Sequence, residues 1–393
     1  MLTASRVLSG PVPWSLVVGR LSLVPAASGA AVLTEVAPAV RACLGGGAPL
    51  AVLPVGPPAA VEAARAVLRP GEPLEPGTDL VVVTSGSTGS GRGVLLSAGA
   101  LRASATATLD RLGGPGSWLL ALPVSAIAGL QVLCRSVLAG REPTVLEPGE
   151  AISAALARMP AGRRYTALVP TQLRRALDAE PGALEAFDAV LVGGAATDPA
   201  LLDRARAAGV NVVTTYGMTE TAGGCVYDGV PLAGVEVAVA DDGVRLAGPV
   251  LAHGYRADPE GTAAAFADGW FRTRDAGSLD ADGRLVVHGR LDDVVITGGV
   301  NVAPLAVEAA LREHPEVADA VVFGRPDPEW GQRVVAAVVP ADGADPALAR
   351  LRPWVAERLG AAAAPRELHR IDAVPLLHTG KPDRRGVAAR LVG

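Results

Sequence analysis

From about residue 80 the chain alternates short β-branched apolar runs with longer stretches rich in Ala, Leu and Arg. The runs Leu80–Thr84, Trp118–Leu122, Tyr165–Val169, Val190–Val192 and Asn211–Thr215 predict strands, because they are short, apolar and bounded by polar or Gly/Pro residues. Between them, Ser97–Leu112, Ile127–Leu138, a segment through Leu177 and Pro199–Ala208 predict helices. Ser97 is the expected cap of the first and Thr171 of the third. Such alternation argues for an α/β fold with mainly parallel sheets flanked by helices. Ahead of residue 80 only the helix Pro58–Leu68 is clear.

After about residue 225 the pattern becomes short strands joined by Gly/Asp turns, as at Asp241-Asp242-Gly243 and Asp280-Ala281-Asp282-Gly283, which predicts an antiparallel β region. A compact unit follows. It is expected to open on a hairpin (Leu285–His288 with Val294–Thr297) and continue through a helix Pro304–Arg312 and strands Ala318–Phe323 and Arg333–Val339. A helix Pro346–Leu359 and a strand Leu368–Ile371 complete it. Residues 1–290 thus form a large N-terminal domain, and residues 291–393 a small α+β C-terminal domain.

Composition narrows the classes. A net charge of −5 offers no electrostatic case for nucleic acid or an anionic membrane. The longest apolar stretch, Trp118 to Leu133, is broken by Pro123, Ser125, Gly129 and Gln131, so a buried core is expected and not a membrane span. Pro11, Pro13 and Arg20 interrupt any leader-like run. Cys43, Cys134 and Cys225 lie far apart, without metal spacing, which fits a reducing cytoplasm. All five histidines lie beyond residue 250, so no histidine ahead of that point can do catalysis. Of 35 basic residues only Lys381 is lysine, and a position that escapes so strong an arginine bias is a candidate for chemistry that needs a compact charge.

The strand Leu80–Thr84 runs into Thr84-Ser85-Gly86-Ser87-Thr88-Gly89-Ser90-Gly91-Arg92-Gly93. Glycines let backbone N–H groups close around phosphate oxygens, and the hydroxyls add donors. Gly86 to Gly91 has the spacing of a P-loop, but Arg92-Gly93 replaces its Lys-Ser/Thr, and a second strand, Val94–Leu96, follows in place of a helix.

Thr84–Gly93 resembles the phosphate-binding signature of the adenylate-forming superfamily of acyl-CoA synthetases, nonribosomal adenylation domains and luciferases. Further motifs follow in that superfamily's order. Val192-Gly193-Gly194-Ala195 resembles the strand end that lies against adenine, and Thr214-Thr215-Tyr216-Gly217-Met218-Thr219-Glu220-Thr221 the aromatic-Gly-x-Thr-Glu core. Gly269–Asp275 resembles the segment with the ribose-binding aspartate, Gly289-Arg290-Leu291-Asp292-Asp293 the hinge, and Gly380-Lys381 the catalytic lysine.

The resemblance implies ATP, Mg²⁺ and CoA as partners of a small carboxylic acid. Thr84, Ser85, Gly86, Ser87, Thr88, Gly89 and Arg92 would meet the phosphates, with Thr88 among the catalytic groups. Gly193, Gly194, Ala195, Thr215, Gly217, Met218 and Thr219 would line the nucleotide, and Tyr216 would stack on the purine. Asp275 and Arg290 would hold the ribose. Glu220 suits Mg²⁺, a hard cation that takes oxygen and keeps several waters. Lys381 would bridge the acid and the α-phosphate, giving acyl-AMP and pyrophosphate. Rotation about Asp292 would then bring the Gly298-Gly299 turn to the site for attack by a thiol.

Leu168–Leu173 and Gly223–Gly229 resemble the compact, actinobacterial o-succinylbenzoate–CoA ligase branch of menaquinone biosynthesis, which the lysine-poor composition suits. Ala128, Gly129, Gly223 and Gly224 would then face the acyl group, and Arg135 would take the second carboxylate of a dianionic acid. Ser125-Ala126 stands where that branch carries a histidine, leaving open a ligase for another aryl or aliphatic acid. A catalytically impaired nucleotide-binding regulatory subunit is the alternative of another class. A homodimer also stays open.

Overall fold

The structure is a computed structural model, and it describes residues 20–84, 91–376 and 382–392. Two sheets and the helices between them form the larger part. The first sheet runs in the order Ser22–Pro25, Leu50–Leu53, Leu80–Thr84, Arg92–Leu96 and Gly254–Tyr255, its first three strands parallel. The second has seven strands. Thr144–Val145, Ser117–Leu120, Arg164–Leu168, Ala189–Val192 and Val212–Met218 are parallel, and Gly223–Tyr227 and Val230–Pro231 extend the edge antiparallel.

The helices Ala37–Leu44, Ala98–Arg111 and Ile127–Leu138 lie between these sheets, and three more, Ile152–Arg158, Pro170–Ala179 and Pro199–Ala207, cover the far face of the second. Successive strand residues therefore serve different cores. Trp118 and Leu120 join the inner core while Leu119 joins the outer one, and Ala189 and Leu191 alternate likewise with Val190 and Val192. Strands buried on both faces read as unbroken apolar runs, which is why they were legible as strands only by length and flanks. Arg92–Leu96 lies antiparallel to Leu80–Thr84, with Thr84 opposite Arg92, in agreement with the rejection of a P-loop.

Glu236–Ala240, Gly243–Ala247, Trp270–Arg272 and Phe266–Ala267 make the expected antiparallel region. Residues from Val295 onward build separate cores around the hairpin Val295–Thr297/Val300–Val302, the helix Pro304–Arg312, the long strands Val317–Asp327 and Gly331–Pro340, and the helix Leu348–Leu359. Among the described residues no helix is long and apolar enough to cross a membrane. Cys43, Cys134 and Cys225 are buried free thiols, each pushed up to about 12 by burial.

Two expectations are corrected. Leu285–Arg290 pairs with Asp275–Leu279, not with the strand at Val295, whose own partner is Val300–Val302 across the Gly298-Gly299 turn. Thr171 is not a cap. The helix begins at Pro170, whose ring presets the first helical φ, and the Gln172 side chain accepts from the Val169 N–H at 3.0 Å.

Candidate active site

The site residues gather where the strands of the two sheets end. Val212–Met218 leads into a one-turn 3-10 helix, Thr219–Thr221, that places Glu220. The turn is fixed from several sides. The Thr221 hydroxyl accepts from Met218 N at 2.9 Å and donates to Gly223 O at 2.7 Å. Glu220's own carbonyl accepts from Ala252 N at 2.8 Å. Ala222 closes the turn at φ 49°, and its carbonyl accepts from Gln131 Nε2 at 2.8 Å and Ser104 Oγ at 3.0 Å, both fully buried residues.

The Tyr255 hydroxyl donates to Glu220 Oε1 at 3.1 Å, and the Arg92 guanidinium lies 4.9 Å over the face of the same ring. Burial pushes the Glu220 carboxyl above its ordinary value, while the Tyr255 hydrogen bond and the charges of Arg92 and Arg290 pull the other way. Burial and the Glu220 charge together raise the Tyr255 phenol, which stays a donor. Tyr255 and Arg92 sit on adjacent paired strands, so one ladder sets their separation.

A second cluster surrounds Asp275. The Tyr216 hydroxyl donates to Asp275 Oδ2 at 2.8 Å, and Arg290 approaches Oδ1 at 3.5 Å. Each carboxylate oxygen has a second lone pair, so Asp275 keeps capacity for further hydroxyl donors. Burial, then the Asp275 charge, raises the Tyr216 phenol. Gly193, just past the strand Ala189–Val192, touches Thr215 so closely that a Cβ there would lie 2.1 Å from Thr215 Oγ1, so only glycine admits this approach. Gly194 turns the chain away at φ 80°, ahead of Ala195.

The third cluster lies between the helix Ile127–Leu138 and the strand Gly223–Tyr227. Gly129 packs on the preceding turn, where a Cβ would stand 2.2 Å from Pro123 O. Ala128 is exposed at the helix start, and Ala126 precedes the helix without a side-chain cap. Gly223 faces Ile127 and Gln131, and Gly224 faces Thr215 and Tyr227. Two helical turns further in, Arg135 is only 3% exposed, with its guanidinium 4.9 Å from the Trp118 ring centroid and Nη2 at 3.5 Å from the Tyr227 hydroxyl. Its Nε has no partner, and among the described residues no carboxylate pairs with it.

Glu220, Arg92, Tyr216, Asp275 and Arg290 are thus brought into two linked clusters, and Asp292 adjoins the second through Arg290 at 3.0 Å. Gly298 and Gly299 form a tight turn of positive φ in the later unit. Ser85, Gly86, Ser87, Thr88, Gly89 and Lys381 lie outside the described residues. Tyr255 and Gln131 were missed. Tyr255's only signal was rarity, one of four tyrosines in the chain, and Gln131's was a polar residue amid an apolar helix.

Two family models match the chain: "AMP-binding enzyme" over residues 53–255 and "AMP-binding enzyme C-terminal domain" over residues 306–381. A probable 2-succinylbenzoate–CoA ligase of Mycobacterium tuberculosis is 48% identical over 381 residues, covering 94% of this chain and 98% of the relative. The 2-succinylbenzoate–CoA ligase of Listeria monocytogenes is 33% identical over 79% of this chain and 69% of its own. Among solved structures, an amide bond synthetase from Marinactinospora thermotolerans superposes with a TM-score of 0.77 at 27% identity, covering 96% of this chain and 90% of that one. The o-succinylbenzoate CoA synthetase of Bacillus subtilis, in complex with its acyl-adenylate intermediate, superposes with a TM-score of 0.73 at 27% identity, covering 89% and 80%.

Proposed function

The chain belongs to the AMP-binding enzyme family, and from that premise we propose that it is an ATP- and Mg²⁺-dependent ligase joining o-succinylbenzoate to CoA in menaquinone biosynthesis. The observation that carries the choice of acid is Arg135. Among the described residues its buried guanidinium has a free Nε and pairs with no carboxylate, an arrangement that is costly to keep. Its Nη2 reaches the Tyr227 hydroxyl at the end of the strand Gly223–Tyr227, and the second carboxylate of a dianionic acid would complete a bidentate pair with it. The likeness to the two 2-succinylbenzoate–CoA ligases supports the same choice.

In the first half-reaction Thr84, Arg92 and the residues between them hold the phosphates, and Tyr216, steered by its bond to Asp275, stacks on the purine while Gly193, Gly194 and Ala195 back it. Asp275 and Arg290 take the ribose hydroxyls. Glu220 fits Mg²⁺: its carboxylate supplies oxygen beside the Tyr255 ring on which Arg92 lies, and its Oε1 is steadied by the Tyr255 hydroxyl. Among the described residues no cluster of three metal-ligating side chains exists, which suits an ion held by one carboxylate, phosphates and water. When bound, the ion spreads the charge of the departing pyrophosphate. Lys381 bridges the acid carboxylate and the α-phosphate. Catalysis is positioning and electrostatics throughout.

The small unit, taken to begin at residue 291, then turns about Asp292. That withdraws Lys381 and presents the Gly298-Gly299 turn, along which the CoA thiol reaches the acyl-AMP. The buried, unoxidised thiols fit a cytoplasmic enzyme. A second reading keeps the adenylation and exchanges the acceptor for an amine, in line with the likeness to an amide bond synthetase. The test is pyrophosphate release and thioester formation with o-succinylbenzoate, benzoate, succinate and medium-chain fatty acids, with and without CoA. Thioester from o-succinylbenzoate alone is expected. Preference for another acid, or adenylate that CoA does not consume, would replace this reading, and no pyrophosphate with any acid would overturn it.

A further inference from the structure

Asp292 and Asp293 are consecutive carboxylates in the 3-10 turn Leu291–Asp293, and they hold opposite partners. Asp292 pairs with Arg290 at 3.0 Å, at the end of the strand Leu285–Arg290, and with Arg274 at 3.1 Å, just ahead of the strand Asp275–Leu279. Asp293 accepts from Arg384 Nη1 at 2.9 Å, on the last helix, Arg384–Val392. Arg384 reaches further into the small unit. Its Nη2 donates to Glu308 Oε1 at 2.6 Å and its Nε to Val322 O at 2.9 Å. Glu308 is 1% exposed and also accepts from Val322 N at 2.9 Å. All three nitrogens of the guanidinium are therefore committed, one of them to the hinge turn.

Arg384 stands three residues after Lys381. The chain on either side of residues 377–381 is closed at its base, because Leu376 bridges Pro382 and Asp383 N donates to Pro375 O at 2.8 Å. The base of the lysine segment, the buried Glu308 and the hinge turn thus meet at one side chain.

We propose that Asp293 and Arg384 are positioning residues that fasten the base of the Lys381 segment to the hinge turn, so that hinge and lysine swing as one piece. The adjacent carboxylates divide the work: Asp293 moves with the lysine, and Asp292 holds the turn to the ribose side until the swing. This rests on the adenylating role given above to Lys381. It follows that loosening Asp293–Arg384 harms the half-reaction that needs the lysine in place and spares the one from which the lysine has withdrawn.

The full chain is compared as wild type, Asp293→Asn and Asp293→Glu. ATP–pyrophosphate exchange with o-succinylbenzoate reads the first half-reaction, and thioester formation from supplied o-succinylbenzoyl-AMP and CoA reads the second. Asp293→Asn retains the Arg384–Glu308 pair and so the fold, whereas Arg384→Met would strand a buried carboxylate. Asp293→Asn is expected to slow exchange about tenfold, the equivalent of one charge-assisted hydrogen bond, and leave thioester formation within about twofold. Asp293→Glu, which keeps the charge, restores most of the exchange. Amide hydrogen exchange of the peptide around residues 371–383 quickens in Asp293→Asn and not in Asp293→Glu. Equal loss of both half-reactions, or amide exchange unmoved by Asp293→Asn, overturns the proposal. A wild type that adenylates no acid overturns the enzymatic reading instead, and the amide exchange then still decides whether the anchor exists.

Discussion

Glu220 answers to two demands that pull its carboxyl in opposite directions. To hold Mg²⁺ it must be ionised, yet burial raises its pKa, and a backbone hydrogen bond, the Tyr255 hydroxyl and nearby arginine charge offset that in part. A raised folded value means that ionisation costs stability as pH climbs through it, and that Mg²⁺ binding strengthens over the same interval and levels off above it. Tyr255→Phe removes a donor to the charged form, so the carboxyl moves further up. Apparent Mg²⁺ affinity at neutral pH should fall about tenfold, and the rise of affinity with pH should shift to higher pH. Mg²⁺ titration of pyrophosphate release across a pH series checks this, and an unmoved profile would refute the role of Tyr255. Arg135 makes a different kind of prediction, because a group kept for binding is a liability to the fold. Arg135→Met should leave thermal stability unchanged or raise it, while KM for o-succinylbenzoate rises tenfold or more and that for a monocarboxylic acid does not. Lower stability with an unchanged KM would make Arg135 a core residue. Both roles differ in how far they could be read in advance. Glu220 stood inside a dense motif, but Tyr255 is joined to it only by folding, 35 residues away, and no local pattern announces such a contact.

The helix Ile127–Leu138 shows what an element adds to its residues. Its start is seated on Pro123 O by Gly129, its middle carries Gln131 to the Ala222 carbonyl, and its inner half presents Arg135, so one rigid rod relates the acyl wall to the Glu220 turn. Gly129→Ala would drive a methyl group into the Pro123 carbonyl and shift the whole rod. A loss of about 1–3 kcal/mol in denaturant unfolding is expected, together with weaker acid binding, since the displacement is carried to Gln131 and Arg135. An unchanged KM for the acid would mean that the helix is not the register of the acyl site. The bounds of Ala98–Arg111 were legible because its apolar run and the Ser97 cap coincide, and those of Ile127–Leu138, which has no side-chain cap, from its apolar pattern alone. Elsewhere they do not. Val32, Val36, Val40 and Leu44 form a buried stripe at four-residue spacing, but it crosses two short helices with no side-chain caps and a restart at Pro38, and the packing that stabilises them is supplied by distant helices. Arg384–Val392 likewise buries little beyond Val387, and is held by Asp383 and Arg384.

At the scale of the molecule the apolar cores divide cleanly: every residue of the three larger-part clusters precedes residue 286, and every residue of the other two follows residue 294. Between them run the Asp275–Leu279/Leu285–Arg290 hairpin and the turn Leu291–Asp293, where the ties include ionic pairs of Arg274 and Arg290 with Asp292 beside the approach of Leu305 to Gly289. Ion pairs with more than a third of the arginine side chain exposed bind weakly, so two cores joined in this way should unfold separately. Calorimetry of the full chain is expected to resolve two transitions. Ligands then sort them by what they touch, since a ligand stabilises only the state it binds. Adenosine meets the purine and ribose groups alone, and should raise only the transition of the larger part. A non-hydrolysable acyl-adenylate analogue also recruits Lys381 from the small unit, and should raise both. At a hundredfold excess over its Kd each ligand is worth about 2.7 kcal/mol to the unit it contacts, enough to move a transition by several degrees. One merged transition under every condition would show the cores to be a single cooperative unit and remove the basis for a swing about Asp292. Adenosine moving both transitions equally would place the coupling in the ionic seam, with Lys381 unnecessary to it.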